Sequence, residues 1–138
     1  MVGFSGTRKG MTTLQLGSAR ELLNSLDPVA VHHGDCVGAD ADFHKLCRHQ
    51  GIPIVIHPPT QDRARAMCNG PNVTILPPQH YLVRNRGIID ACNVMVAAPA
   101  GPEVVRSGTW STVRYAKKKG KTVYLILPSG VIVPPPIQ

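Results

Sequence analysis

Apolar residues along this chain fall into short dense runs separated by longer stretches in which they recur every three or four positions. The runs at residues 1–5, 29–33, 52–57, 93–98 and 122–127 are rich in Val, Ile and Ala and too short for helices, so they predict strands. Residues 72–76 predict a further short one. Between them, Leu14, Leu16, Ala19, Leu22, Leu23 and Leu26 share one face of a helix that Thr12 or Thr13 can cap. Helices are also predicted over 39–50, 80–92 and 108–119. The boundaries have local causes. Gly6 and Gly34 close strands, Gly51 and Gly120 stop helices, and Pro28 drives the residue before it out of helical geometry. Pro58-Pro59 ends the third strand, and residues 60–79 show little periodicity.

Strands alternating with helices are the mark of βαβ units and a parallel sheet. The expected fold is therefore α/β: a single Rossmann-like three-layer domain over residues 1–130, with a mainly parallel twisted sheet flanked by helices. Residues 131–138, containing Pro134-Pro135-Pro136, read as a Pro-rich C-terminal tail. In such a sheet ligands bind beyond the carboxyl ends of the strands, near the point where strand order reverses. The residues that follow each strand are thus where chemistry is expected.

Composition narrows the partners. The formal net charge of +7 favours an anionic one. Part of the excess, Lys117-Lys118-Lys119 and Lys121, falls at a helix end where cations suit the dipole. With one Trp, three Tyr and two Phe the chain lacks a stacking platform for single strands. Cys36, Cys47, Cys68 and Cys92 form no CxxC pair and follow no zinc spacing. His32 and His33 point to opposite faces of a strand. Neither a metal nor another cofactor is expected. No apolar run approaches the ~20 residues that span a bilayer, and no signal-peptide pattern opens the chain, so a cytoplasmic protein without a membrane partner is expected.

Four post-strand segments carry candidate chemistry. In the first, Gly6 permits a tight turn and close approach, Ser5 and Thr7 with exposed amides can cradle a phosphate, and Arg8 can grip it bidentately. The spacing departs from GxGxxG. In the second, Gly34 and Gly38 let the backbone fold around a ligand, and Asp35 or Asp40 can accept hydrogen bonds from ribose or base; capping a helix is the alternative for Asp40. In the third, Arg84 and Asn85 near a helix start can reach the ligand mouth. In the fourth, Ser107, Gly108 and Thr109 open a helix whose free amides and dipole favour anions. Glu103, the one carboxylate of that loop, is the leading acid–base candidate. Trp110 reads as a packing residue.

Together, Gly3-Phe4-Ser5-Gly6-Thr7-Arg8, Gly34-Asp35-Cys36-Val37-Gly38-Ala39-Asp40, Arg84-Asn85-Arg86 with Asp90, and Ser107-Gly108-Thr109-Trp110 resemble the SLOG superfamily, which unites the Smf/DprA and LOG proteins. The chain looks most like its YspA or YpsA-related branch. The resemblance implies a Rossmann-like fold with a nucleotide site built from the glycine-rich loops, and self-association. It also implies divergent roles: hydrolysis of nucleoside monophosphates at the N-glycosidic bond, single-stranded DNA binding, or sensing of nucleotide-derived signals. One departure stands out. The hydrolases place a glutamate three residues after the threonine of their glycine-rich loop, and here that position is Thr112.

The first functional expectation is therefore a module that senses or sequesters a phosphorylated nucleotide or nucleotide derivative. The second is a nucleoside 5'-monophosphate N-glycosidase with Glu103 or Asp40 as its catalytic carboxylate. The third, single-stranded nucleic-acid binding, rests on charge alone. A homo-oligomer is expected, with the helix around Arg84 as its interface.

Overall fold

The computed structural model describes residues 1–135. Its elements are β1 (Val2–Gly6), α1 (Thr13–Leu26), β2 (Val31–His33), α2 (Ala39–His49), β3 (Ile54–Ile56), a 3-10 turn (Asp62–Ala64), β4 (Val73–Ile75), α3 (Tyr81–Ala91), β5 (Val94–Ala98), α4 (Gly108–Lys118), β6 (Thr122–Ile126) and β7 (Ile132–Val133). The strands form one sheet in the order β4-β3-β2-β1-β5-β6-β7. Every pairing is parallel except that of β6 with β7. This is the expected Rossmann-like α/β domain.

Period-two alternation along the strands builds two cores, one on each face. Val2, Phe4, Val31, Ile54, Ile56, Val96 and Ile126 pack against Leu22 and Leu23 of α1 and Phe43 of α2. Met95, Ala97, Val123 and Leu125 pack against Ile88 and Ile89 of α3 and Trp110 and Val113 of α4. The Phe4 and Phe43 rings stack with centroids 4.1 Å apart, pinning α2 onto β1.

Three expectations need correction. Leu14, expected on the buried face of α1, is 61% exposed. Its neighbour Gln15 is buried instead, and the reason is polar. The Gln15 side-chain amide donates to the carbonyls of Pro99 and Ile126, each at 2.9 Å, while its oxygen accepts from the Thr12 amide. Gln15 thus completes a capping box with Thr12 and ties the start of α1 to the carboxyl ends of β5 and β6. Val29 lies outside β2, on an exposed turn that follows the left-handed Asp27 cap. Part of the expected tail is a strand: a turn at Gly130 brings Ile132–Val133 back beside β6. Pro136 lies outside the described residues.

Replacing Gln15 with leucine leaves two buried carbonyls and one amide without partners. A loss of about 1–3 kcal/mol is expected from urea denaturation, with an unchanged m value. A change below about 0.5 kcal/mol, the scale of an ordinary surface substitution, contradicts the role assigned to it.

Candidate functional site

β1 and β5 are hydrogen-bonded neighbours, yet the chain leaves β1 towards α1 on one face and β5 towards α4 on the other. The two connections diverge and open a cleft of about 550 Å³ at the carboxyl edge of the sheet. Ser5, Gly6, Thr7 and Arg8 line it from the end of β1, and Gly34 and Asp40 from the segment after β2. Arg84 and Asn85 come from α3; Ser107, Gly108 and Thr109 come from the start of α4. Of the residues singled out in the sequence as ligand-binding, only Asp35 and Gly38 are outside this lining.

The floor of the cleft is held by one peptide. The Thr7 amide donates to the Ala98 carbonyl at 3.0 Å, and the Thr7 carbonyl accepts from the Ala39 amide at 2.9 Å. The glycines here serve chain-to-chain contact. A Cβ on Gly6 would sit 2.5 Å from the Ala39 Cβ. Gly38 has φ +95, and its added Cβ would lie 2.3 Å from the Arg8 carbonyl oxygen. Gly38 was expected to wrap a ligand; it packs against the β1 turn instead. A Cβ on Gly34 would meet the Arg84 guanidinium at 2.6 Å.

At the α4 end the chemistry is that of a helix N-terminus. Ser107 caps it, its hydroxyl accepting from the Trp110 amide at 3.2 Å. The amides of Gly108 and Thr109 donate to nothing among the described residues. Arg8 and Arg106 are exposed at the cleft, and no carboxylate pairs with either among the described residues. Thr112 is buried, and its hydroxyl donates to the Gly108 carbonyl at 3.0 Å.

The inner wall belongs to Arg84 and Asp40. Arg84 is buried; its guanidinium donates to the carbonyls of Gly34 and His57 and to Asn85 Oδ1, and one nitrogen lies 3.7 Å from Cys36 Sγ. Asp40 accepts from the Cys36 amide at 3.1 Å and is the one carboxylate lining the cleft. Burial pushes its carboxyl up to about 6, against the opposing pull of the Cys36 amide and Arg84.

Two expected carboxylates are placed elsewhere. Glu103 lies outside the cleft lining, ion-paired with Arg114 at 2.9 Å on the surface, so its acid–base assignment is withdrawn. Asp35 is wholly buried and structural: it accepts from Arg65 Nε at 3.0 Å and the Cys68 amide at 2.9 Å. Through these bonds β2 anchors the irregular segment 60–70, which the sequence left without periodicity. Arg86 lies over the Tyr115 ring, 5.4 Å from its centroid.

Four of the six histidines form two buried pairs on opposite faces of β2, as the strand period requires. His32 Nδ1 is 2.8 Å from His57 Nε2, and His33 Nε2 is 2.9 Å from His44 Nδ1. His33, His44 and Cys68 bring three potential metal-ligating atoms within 4.8 Å of one another. The hydrogen bonds fit a neutral chain better. The Asp35 amide donates to His33 Nδ1, His33 Nε2–H can donate to His44 Nδ1, and His44 Nε2–H can donate to the Asn69 carbonyl. A metal on His33 Nε2 would have to displace that proton while Nδ1 still accepts from an amide. Burial, reinforced by the neighbouring imidazole, lowers His33 to about 3 and His57 to about 4. Burial also lowers His32.

Sequence reasoning passed over Tyr81, Leu82, Ile88, Val105 and Arg106, which also line the cleft. Helical spacing was the available signal: residues 81, 84, 85 and 88 fall on one stripe of α3.

Fold and site together define a Rossmann-like α/β domain with an arginine-rich cleft at its strand-order reversal, facing an open helix N-terminus. No protein-family model and no curated protein matches the sequence. Among solved structures the chain is similar to DNA processing protein A (DprA) from Streptococcus pneumoniae. The TM-score is 0.69 at 17% identity, covering 90% of this chain and 49% of that one. It is also similar to the structural-genomics target TM1055, with TM-score 0.61 at 18% identity, covering 88% of this chain and 71% of that one. The chain therefore spans about half the length of DprA, and the likeness is one of fold.

Two outcomes test these placements. Asp35→Ala strands the Arg65 guanidinium and the Cys68 amide, so it should cost about 3–5 kcal/mol, whereas Glu103→Ala should cost under about 1 kcal/mol. Similar losses in the two contradict the assignment. The second outcome is a pH dependence. His32, His33 and His57 take up protons more readily in the unfolded chain, whose ordinary value is 6.5. Their contribution is therefore present above pH 6.5 and is lost as pH falls towards 3. Asp40, raised from 3.8 to about 6, acts in the opposite sense over its own range. With three groups opposing one, the urea midpoint should fall between pH 7.5 and 5; a flat or rising midpoint contradicts the buried-histidine account.

Proposed function

We propose that this cleft binds a phosphorylated nucleotide or nucleotide derivative, which the protein senses or sequesters. The observation that carries the proposal is the combination of unpaired Gly108 and Thr109 amides with the unpaired guanidinium groups of Arg8 and Arg106 around one cavity. Amides at a helix start and arginine forks are complementary to phosphate oxygens. Asp40, deeper in the cleft, supplies an acceptor for ribose hydroxyls. Membership of the SLOG superfamily, in its YspA or YpsA-related branch, is part of this proposal. The four glycine-rich and arginine-bearing segments in order, and the fold shared with DprA, support it.

Asp40 also favours a second reading, hydrolysis of the N-glycosidic bond. A cleft carboxyl raised to about 6 keeps its proton well above the ordinary carboxylate range, which moves it towards the general acid that a departing base requires. Against it, Thr112 occupies the position of the hydrolases' glutamate, and Glu103 lies outside the cleft. Binding without turnover is the stronger of the two.

Calorimetric titration with AMP tests both. Arg8→Ala, and Gly108→Pro, which removes one free amide at a helix position that tolerates proline, should each weaken binding by about 1–3 kcal/mol, roughly five- to 150-fold, without loss of fold. Unchanged affinity in both variants means the phosphate has been misplaced. Prolonged incubation should release no adenine; steady release would replace the binding function by the hydrolytic one.

A further inference from the structure

We propose that Tyr81 is the base-stacking residue of the cleft, so that a bound nucleotide lies along α3 with its phosphate at α4 and its base at the rim beside Tyr81. This rests on the nucleotide reading of the same cleft and adds an orientation and a specificity residue to it.

Phe4, Phe43 and Trp110 are buried, and Tyr115 and Tyr124 are half-buried against the two cores. Tyr81 is the one aromatic residue of the chain that is exposed, at 53%, and it lines the cleft. An aromatic ring exposed at the lip of the cleft is placed as ligand sites commonly place one.

Helix geometry then sets the direction. Tyr81, Arg84, Asn85 and Ile88 follow one another along one stripe of α3, and all four line the cleft. Exposure falls from 53% at Tyr81 to 5% at Arg84 and 4% at Ile88, so the stripe runs from the rim inward. The phosphate-seeking groups, Arg8 and the Gly108 and Thr109 amides, belong to the β1 turn and the α4 start. The apolar groups Tyr81 and Leu82 come from the start of α3 and are exposed where they line the cavity. A ligand with a charged end and a flat apolar end matches this division. His80, the N-cap of α3, packs against the Tyr81 ring with centroids 4.6 Å apart, which restrains it. The recognition is of the base's face: a stacking residue favours any aromatic base over none and discriminates weakly between bases.

Titration of wild type, Tyr81→Ala and Tyr81→Phe with AMP and with ribose 5-phosphate tests the proposal. Wild type should bind AMP at least about tenfold more tightly than ribose 5-phosphate. Tyr81→Ala should lose about five- to a hundredfold in AMP affinity, the scale of one base–aromatic stack, while ribose 5-phosphate binding stays within about twofold. Tyr81→Phe should retain AMP binding, since the ring is kept. Equal losses for the two ligands, or an AMP affinity unmoved by Tyr81→Ala, overturn the stacking role while leaving the phosphate site standing. If neither ligand binds wild type, the nucleotide reading falls and this one with it.

Discussion

The backbone of Thr7 ties together the strand and helix that shape the cleft. Its amide is bonded to the end of β5 and its carbonyl to the start of α2, so the β1 turn is clamped between the strand that begins the second half of the sheet and the helix that follows β2. Gly6 and Gly38 let the chains come that close. The clamp commits the backbone polar groups of Thr7 internally and spaces the β1 turn from α4. A cleft with a rigid floor follows, and the groups left free around it are donors and cations.

That residual chemistry is one-sided. Arg8, Arg106 and the α4 amides lack internal partners among the described residues, while Asp40 is the cleft's single carboxylate. Arg84 is different in kind. Its guanidinium is spent on the Gly34 and His57 carbonyls and on Asn85, which makes it a bolt between α3 and the ends of β2 and β3. The protein's net charge of +7 is thus only partly a matter of the lysines that end α4; Arg8, Arg84 and Arg106 place another part of it at the strand-order reversal.

Periodicity and punctuation made the fold legible: each predicted strand and helix is present, within a few residues of its expected limits. The site was legible in outline for the same reason, since post-strand loops of a parallel sheet must meet at one edge. What stayed hidden depends on partners distant in sequence. The Pro99 and Ile126 carbonyls draw Gln15 inward, and Leu14, expected on the buried face of α1, is turned outward. Asp35 looks like a ligand acceptor until Arg65 and Cys68 claim it. Glu103 is close in sequence to the α4 amides and yet faces Arg114. Buried polar pairing across dozens of residues leaves no local signature, which is why Asp35 and the orientation of α1 at Leu14 were misread, while the Glu103–Arg114 pair depends on how the loop folds back over α4.

The central claim is that the α4 amides of Gly108 and Thr109, free among the described residues, hold an anion together with Arg8 of the β1 turn. Amide-resolved NMR during titration with AMP addresses it directly. The account predicts saturable shifts concentrated at Thr7, Arg8, Gly108 and Thr109, with the Lys117–Lys121 segment unmoved. Shifts centred on those lysines, or none at the cleft at saturating ligand, would contradict it.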